Sequence, residues 1–248
     1  MKTGLVSVTF RELSPIEIIK LAKEAKLDGI EWGADIHCPP DNPPNAKNVA
    51  SLMREHGLST ISYGSYYRAG GESDSQHCFQ DIVDTALLLE TDNIRIWTGN
   101  ISSKNADDDV WHRTVTDIRR VADMAAAKDI TVSFEYHDGT LSDGLEPTLR
   151  LLRHVDRANV FTYWQALSGS VPEVNISDIK QLVHIKKLKN IHVFSMSGNE
   201  RLPLRALADH WARYVAAAAP CNPALLLEFV KESAQFADDA KYLQTLIS

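Results

Sequence analysis

The amino-acid sequence predicts an α/β fold in which eight parallel strands, each followed by a helix, close into a barrel. Short apolar runs recur about every 30 residues and alternate with amphipathic segments, as in repeated strand–helix units. Eight such units in 248 residues match the usual length of a (β/α)8 barrel. The even unit length favours closure over an open, doubly wound sheet. No linker interrupts the pattern, so residues 1–248 are expected to form one domain.

The predicted strands are short runs rich in β-branched and aromatic residues. Several are bounded by Gly, Asp or Asn, which favour turns. In chain order the strands are Gly4–Phe10, Leu27–Trp32, Leu58–Tyr63, Asn93–Trp97, Ile130–Glu135, Val160–Trp164, Asn190–Phe194 and Ala224–Phe229.

The predicted helices follow these strands and carry apolar residues at helical spacing. The first begins at Ser14 and Pro15, an N-cap with proline in the first helical position. In chain order the helices are Ile16–Ala25, a segment that ends near His56, Cys78–Leu89, Asp108–Lys128, Leu145–Val155, Ser177–Lys187, Leu204–Ala218 and Ser233–Leu246.

The composition excludes several classes of protein. A net charge of −7 argues against a nucleic-acid partner. The three cysteines form no C-x-x-C pair, so neither a zinc finger nor a redox motif is indicated. The chain lacks the apolar stretch of a signal peptide and the run of about 18 apolar residues that crosses a membrane. We therefore expect a cytoplasmic protein without a membrane partner.

Polar side chains mark the ends of the last four predicted strands. In β/α barrels the chemistry takes place at the carboxyl ends of the strands, and neighbouring strands lie about 5 Å apart. Glu135, Gln165, His192 and Glu228 come from four successive strands, so their side chains can share one ion. Two carboxylates, an imidazole and an amide oxygen suit a divalent metal such as Mn²⁺, Mg²⁺, Co²⁺ or Zn²⁺.

Structural roles compete with this interpretation. Either glutamate can form a salt bridge with a loop arginine, His192 can be a hydrogen-bonded core residue, and Gln165 can serve in ordinary hydrogen bonding. Other polar and aromatic residues near the strand ends can pack or contact a substrate. The candidates for substrate binding are Trp32, His37, Tyr66, Trp97, His137 and Arg201.

Several segments together resemble one known family, and their order and spacing carry the resemblance. They are DGIEWGADIH, ISYGSYYRAG, IRIWTG, FEYHDGTLSD, TYWQ, IHVFSMSGNERLPL and LLLEF. The chain resembles the xylose isomerase-like TIM-barrel family, within the sugar phosphate isomerase/epimerase group that includes ketose 3-epimerases. The resemblance implies a single (β/α)8 TIM barrel.

The resemblance also implies a metal site. Epimerase-like members bind a divalent metal through Glu, Asp, His and Glu of strands five to eight, which correspond to Glu135, Gln165, His192 and Glu228. Gln165 replaces the aspartate, and Ser168 replaces a histidine that often follows it. Arg201 matches an arginine that contacts the substrate.

The implied reaction is proton transfer beside the carbonyl of a ketose or related polyol, through an enediolate, by a sugar isomerase or epimerase. Glu135 and Glu228 would remove and return the proton, in either order. Trp32, His37, Tyr66 and Trp97 would line the pocket, and His137 would orient Glu135 or contact the substrate.

Three alternatives to the isomerase or epimerase are considered. A keto-polyol dehydratase or a hydrolase would use the same metal site. A non-catalytic sugar-binding barrel is favoured by Gln165 in place of aspartate. An endonuclease of this fold needs more metal ligands and a basic surface, which the single His192 and the net charge oppose. Barrels of this type often form homo-oligomers, and the sequence does not decide whether this one does.

Overall fold

Eight strands of the computed structural model pair in parallel and close into a barrel, which confirms the predicted fold class. The structure describes residues 1–71, 78–167, 169–230 and 232–247. The barrel strands are β1 (Thr3–Val6), β2 (Gly29–Gly33), β3 (Ser59–Arg68), β4 (Asn93–Trp97), β5 (Thr131–Phe134), β6 (Val160–Trp164), β7 (Leu188–Val193) and β10 (Ala224–Leu227). A separate antiparallel hairpin comprises β8 (Ser195–Ser197) and β9 (Glu200–Leu202).

Helices follow the barrel strands, and their apolar faces cover the barrel. They are α1 (Pro15–Glu24), α2 (Pro43–Glu55), α3 (Phe79–Leu88), α4 (Asp108–Ala126), α5 (Leu145–Val155), α6 (Pro172–His184), α7 (Ala208–Ala218) and α8 (Ser233–Thr245). The start of α1 has the expected chemistry, because Ser14 and Glu17 form a reciprocal capping box before a first turn that contains Pro15. No helix among the described residues is both long and apolar enough to span a bilayer.

The strand order around the barrel is β1–β10–β7–β6–β5–β4–β3–β2, with β2 returning to β1. The last strand, β10, therefore lies between the first strand and β7. All eight strands point the same way, so their carboxyl ends form one rim. The ends of β5, β6, β7 and β10 are consecutive on that rim, as the site prediction requires.

The structure differs from the sequence prediction where the chain departs from regular strand pairing. After Val6, the predicted first strand becomes a 3-10 turn at Ser7–Phe10. The strand predicted to end at Tyr63 continues to Arg68, with an irregular register against β4 between Gly64 and Arg68. This extension carries the chain over the rim of the barrel.

Two further differences lie near the end of the chain. Helix α6 begins at Pro172 and not at Ser177, since proline is well suited to the first helical turn. The hairpin of β8 and β9 was not predicted, because each of its strands has only three residues. It pairs Met196 with Arg201 and turns at Gly198, whose φ is +57°.

Glycine at the start of β2 permits the close approach of β3. A Cβ atom on Gly29 would lie 2.1 Å from the carbonyl oxygen of Ser59 and 2.9 Å from Cγ1 of Ile61. The backbone of a paired strand cannot yield to such a contact without loss of its register. By contrast, a Cβ on Gly144 would meet Pro147 at an ordinary 3.7 Å.

We expect Gly29→Ala to lower the free energy of unfolding by roughly 1–3 kcal/mol or more, because the added methyl group overpacks the junction of β2 and β3. Gly144→Ala is the matched control and should cost less than about 1 kcal/mol, the usual range for an N-cap change. Urea denaturation of the three proteins measures both changes. Equal stability of Gly29→Ala and the wild type would contradict the close approach.

Candidate active site

The four residues predicted to bind metal meet at the carboxyl rim of the barrel. Glu135, Gln165 and Glu228 are each the first residue after a barrel strand, and His192 lies within β7. The backbone amide of Glu135 donates to the carbonyl of Ile96, and the backbone amide of Glu228 donates to the carbonyl of Val193. Both N···O distances are 3.0 Å. These bonds continue the strand pairing by one residue, so both glutamates have fixed backbones. All four side chains are buried.

The side chains surround Nδ1 of His192. This nitrogen lies 3.1 Å from Oε1 of Gln165, 3.3 Å from Oε2 of Glu228 and 3.7 Å from Oε1 of Glu135. Ligand atoms about 2.1 Å from one shared ion lie roughly 3.0–3.4 Å apart in adjacent tetrahedral or octahedral positions. The observed spacing is close to this range. Ser168, which stands where the related family often has histidine, is outside the described residues.

Glu135 is held from the opposite side by two donors. Nη1 of Arg95 and Nε1 of Trp97 both donate to its Oε2, while Oε1 faces His192. Arg95 is a buried residue of β4 that also donates from Nε to Oε1 of Glu31 over 2.8 Å. One guanidinium therefore joins two carboxylates inside the barrel.

Glu31 lies on the other side of the His192 ring. Its Oε1 is 3.4 Å from Nε2 of His192, and its Oε2 accepts the hydroxyl of Tyr163 over 2.8 Å. The same hydroxyl accepts bonds from Nδ2 of Asn93 at 3.0 Å and Nδ2 of Asn190 at 2.8 Å. The barrel interior beneath the site is therefore a continuous polar network.

The network has an excess of negative charge. Burial lowers the pKa of His192, but Glu228 and Glu31 more than offset this and raise it to about 10. Burial raises the pKa of Glu31, but Arg95 and His192 lower it to about 2. With His192 protonated, the three carboxylates (Glu31, Glu135 and Glu228), Arg95 and the imidazolium sum to −1 (−3 + 2). A metal that binds Nδ1 displaces the ring proton, and the sum is then −2 (−3 + 1). A divalent cation would balance this charge.

The donor set fits such a cation. One ligand atom each from Glu135, His192 and Glu228 lies within 4.8 Å of the others. Oε2 of Glu228 is buried and accepts no hydrogen bond from any described residue. The positive group nearest to this oxygen is the imidazole of His192, whose Nδ1 lies 3.3 Å away. A metal ion bound here would displace the proton of that ring and take over the compensation of the buried carboxylate. Carboxylates, imidazole and amide oxygen are together suited to Mn²⁺, Co²⁺, Zn²⁺ or Mg²⁺.

Three predicted substrate-binding residues form one side of the rim around Glu135. The rings of Trp97 and His137 stack, with centroids 4.9 Å apart and planes at 25°. Tyr66 lies 6.0 Å from Trp97 and has a φ of +57°, a strained value for a tyrosine. The guanidinium of Arg68 lies 4.0 Å from the centre of the Trp97 ring. These side chains form an aromatic wall beside the metal-binding cluster.

Arg201 is placed near the opposite side of the cluster. It belongs to the β8–β9 hairpin, and its guanidinium lies 5.2 Å from the centre of the Phe229 ring. Phe229 directly follows Glu228. The exposed Arg201 side chain is therefore close to the β10 end of the rim, which is consistent with its predicted contact with substrate.

Trp32 and His37 do not join this rim. Trp32 is 0% exposed, because it follows Glu31 in β2 and successive strand residues face opposite sides. His37 is 4% exposed; its Nδ1 lies 2.9 Å from Oγ of Ser7 and its Nε2 lies 3.2 Å from the carbonyl of Leu13. Burial also lowers the pKa of His37. The structure thus does not bring these two side chains to the rim beside Trp97, and their contact with a substrate stays a prediction.

Sequence reasoning missed Arg95, Glu31 and Tyr163 as parts of the site. Two of the three carry a visible signal, because Arg95 lies between Ile94 and Ile96 and Glu31 lies between apolar residues as well. A charged residue in the middle of an apolar strand faces the barrel interior, as His192 does in NIHVF. Tyr163 offers no such signal within VFTYW.

Comparisons with known proteins identify the family and the fold. A family model described as xylose isomerase-like TIM barrel matches residues 19–195, which confirms the resemblance seen in the sequence. A 3-dehydroshikimate dehydratase of Bacillus anthracis is 24% identical over 213 residues, which is 78% of this chain and 75% of that protein.

Solved structures share the fold at low identity. The probable 3-DHS dehydratase AsbF of Bacillus anthracis has a TM-score of 0.78 and 20% identity, with 98% of this chain and 99% of that one covered. A D-psicose 3-epimerase of Clostridium cellulolyticum H10 has a TM-score of 0.75 and 16% identity, covering 100% and 98%. The zinc-bound IOLI protein has a TM-score of 0.76 and 15% identity, covering 100% and 96%.

We expect Arg95→Met to lower the free energy of unfolding by about 3–5 kcal/mol, because it leaves Glu31 and Glu135 buried without their cation. The matched control is Arg157→Met, which breaks a surface pair with Asp123 and should cost about 0–1 kcal/mol. Urea denaturation in the presence of EDTA compares the variants. Equal small effects would show that the buried bridge does not stabilise the barrel.

We also expect divalent metal to stabilise the protein. At 100 times its Kd, an ion that binds only the folded state adds about 2.7 kcal/mol, or roughly 5–10 °C in Tm. Thermal melts with Mn²⁺, Co²⁺, Zn²⁺ or Mg²⁺, each against EDTA, measure the shift. Glu228→Gln should abolish it. Asp178 lies in α6, outside the cluster, and accepts the hydroxyl of Tyr136, so Asp178→Asn should retain the shift. No shift of the wild type with any of these ions would contradict the metal site.

Proposed function

Because the chain belongs to the xylose isomerase-like TIM barrel family, we propose that it is a divalent-metal-dependent enzyme that epimerises or isomerises a ketose or related polyol. The reaction would move a proton on the carbon beside the carbonyl. The convergence of Glu135, His192 and Glu228 at neighbouring strand ends carries this proposal. A metal ion and two carboxylates at one point are the parts that such a proton transfer needs.

Glu135, Gln165, His192 and Glu228 are the residues that would hold the metal. When bound, the ion supplies Lewis-acid polarisation of the substrate carbonyl. Gln165 carries no charge, so it adds an oxygen ligand and does not increase the negative charge of the site.

The two glutamates have unequal surroundings, which suggests different roles. No described residue donates a hydrogen bond to Oε2 of Glu228, so this carboxylate is less restrained than that of Glu135. The oxygen that the metal leaves free would take the proton from carbon. Glu135 is fixed at Oε2 by Arg95 and Trp97, and only its Oε1 faces the cluster. We assign removal of the proton to Glu228 and delivery of a second proton to Glu135. Glu135 would enter this step protonated, and exchange with solvent would restore both glutamates before the next turnover.

The position of the glutamates on the rim supports epimerisation. Glu135 follows β5 and Glu228 follows β10, and β6 and β7 lie between these strands. A substrate held over His192 therefore has one carboxylate on each side. Return of the proton from the second side inverts the carbon, and return to the adjacent carbon gives aldose–ketose isomerisation.

The rim would bind a small polyhydroxylated molecule. Tyr66, Trp97 and His137 offer ring faces that suit the C–H face of a sugar. Arg201 approaches from the β10 side and would donate hydrogen bonds to substrate oxygens. The aromatic wall would also exclude water from the reacting carbon.

Dehydration of a keto-polyol is the second candidate, favoured by the relative named 3-dehydroshikimate dehydratase. The first step would be the same, because a proton beside a carbonyl is removed. The outcome would differ, since a neighbouring hydroxyl would leave as water and the proton would not return to carbon.

Turnover in D2O separates the candidates. The protein is incubated with Mn²⁺, Co²⁺, Zn²⁺ or Mg²⁺ and with D-fructose, D-tagatose, D-psicose or 3-dehydroshikimate, and the products are followed by NMR and mass spectrometry. Deuterium at the carbon beside the carbonyl, without loss of water, supports the epimerase or isomerase. Loss of one water supports the dehydratase. Saturable binding without any conversion would favour the sugar-binding barrel.

We expect Glu228→Gln to reduce kcat on the accepted substrate by at least about 10²-fold, because the amide cannot accept the proton and the variant also loses a charged metal ligand. The fold should persist, since the substitution keeps the side-chain shape.

Asp178→Asn serves as the control and should keep full activity. Initial rates and far-UV circular dichroism measure both effects. Full activity of Glu228→Gln would exclude this glutamate as the base.

A further inference from the structure

His192 presents its two ring nitrogens to different surroundings. Nδ1 faces the cluster of Gln165, Glu228 and Glu135, at 3.1, 3.3 and 3.7 Å. Nε2 faces Glu31 alone among these carboxylates, at 3.4 Å, and it makes no hydrogen bond to any described residue. Because the two nitrogens lie on different edges of the ring, Glu31 cannot share an ion held at Nδ1. Its carboxylate can reach such an ion only through the imidazole.

Glu31 is fixed at both oxygens. Oε1 accepts Nε of Arg95 over 2.8 Å, and Oε2 accepts the hydroxyl of Tyr163 over 2.8 Å. Both donors are buried, and Glu31 itself is 0% exposed. Solvent therefore does not compete for this carboxylate, and its oxygens have one orientation.

The donors to Glu31 also contact the other members of the site. The ring of Tyr163 packs edge-on against His192, with centroids 5.1 Å apart. Arg95 bonds to Glu135 with its second arm. The orientation of Glu31, of His192 and of Glu135 is thus set by the same two side chains.

From this arrangement we propose that Glu31 is a positioning residue: when a metal is bound at Nδ1, the Nε2–H of His192 donates to Oε1 of Glu31, which directs the lone pair of Nδ1 at the metal. The 3.4 Å approach of these two atoms needs only a small rotation of the ring to become a hydrogen bond. The inference rests on the proposed function only in requiring that the cluster binds a divalent ion. Histidine ligands bind metal better when their second nitrogen donates to a carboxylate, which fixes the tautomer and raises the basicity of the ligand atom. Tyr163 and Arg95 support Glu31 in this role.

The test compares Zn²⁺ affinity of wild type, Glu31→Gln and Tyr163→Phe by competition with a chelating dye. Glu31→Gln should weaken Zn²⁺ binding by about 10–100-fold, the usual effect of losing a carboxylate partner of a metal-bound histidine. Tyr163→Phe keeps the ring against His192 and removes only the hydroxyl, so a smaller loss is expected. The phenylalanine variant decides the question if Glu31→Gln does not fold.

The matched control is Asp178→Asn. Asp178 also accepts a tyrosine hydroxyl, that of Tyr136, over 2.8 Å, but it lies outside the metal cluster. Its Zn²⁺ affinity should equal that of the wild type. Melting curves in EDTA report the stability of each variant separately, so a loss of affinity can be distinguished from a loss of fold.

A spectroscopic signature separates positioning from a merely structural role. In Zn²⁺-loaded protein labelled with ¹⁵N-histidine, the Nε2–H proton of His192 should resonate downfield and exchange slowly. The signal is assigned by its loss in His192→Gln. In Glu31→Gln it should move upfield and exchange faster.

Each outcome bears on the proposal. Wild-type affinity in Glu31→Gln, with an unshifted Nε2–H signal, would overturn this inference and leave the proposed function intact. If Glu31→Gln does not fold, wild-type affinity and an unshifted signal in Tyr163→Phe would overturn it. Failure of the wild type to bind Zn²⁺, Mn²⁺, Co²⁺ or Mg²⁺ would overturn both.

Discussion

The buried bridge from Arg95 to Glu31 and Glu135 is the interaction on which the rest of the site depends. Two carboxylates inside a barrel would repel each other and lose their hydration, a cost of several kcal/mol per ion. One guanidinium donates to both, at 2.8 Å from Glu31 and in a close contact with Glu135. The bridge therefore allows the barrel interior to hold both carboxylates, whose negative charge would attract a metal cation.

Closure of the parallel sheet places these charged side chains at one end of the barrel. Because all strands run the same way, the ends of β5, β6, β7 and β10 lie side by side. Backbone bonds from Glu135 and Glu228 continue the pairing past the strands and fix where both carboxylates begin. The polar network below reaches Asn93 and Asn190 through Tyr163, so the site rests on hydrogen-bonded side chains and not on a loose apolar core.

The charge balance of the site explains how Gln165 can stand where related proteins have an aspartate. With Glu31, Glu135 and Glu228 offset by Arg95, the charge is already −2 when His192 is neutral. A divalent cation brings that net charge to zero. With an aspartate in place of Gln165, the site would keep a net charge of −1 after the cation is bound. The amide is thus compatible with a metal centre on electrostatic grounds, and it keeps an oxygen 3.1 Å from Nδ1 of His192.

Hydrophobic periodicity is a local property, so the order of the eight barrel strands and their helices could be predicted from the sequence, although the short β8–β9 hairpin could not. The sequence by itself also determined that Glu135, Gln165 and Glu228 follow strand ends and that His192 interrupts an apolar strand. Three contacts became visible only in the folded chain. Arg95 bridges two carboxylates, His37 lies against Ser7, and the β8–β9 hairpin places Arg201 near Phe229. These contacts join distant parts of the chain, such as Tyr163 and Glu31, 132 residues apart, and no local pattern specifies which of many polar side chains will meet.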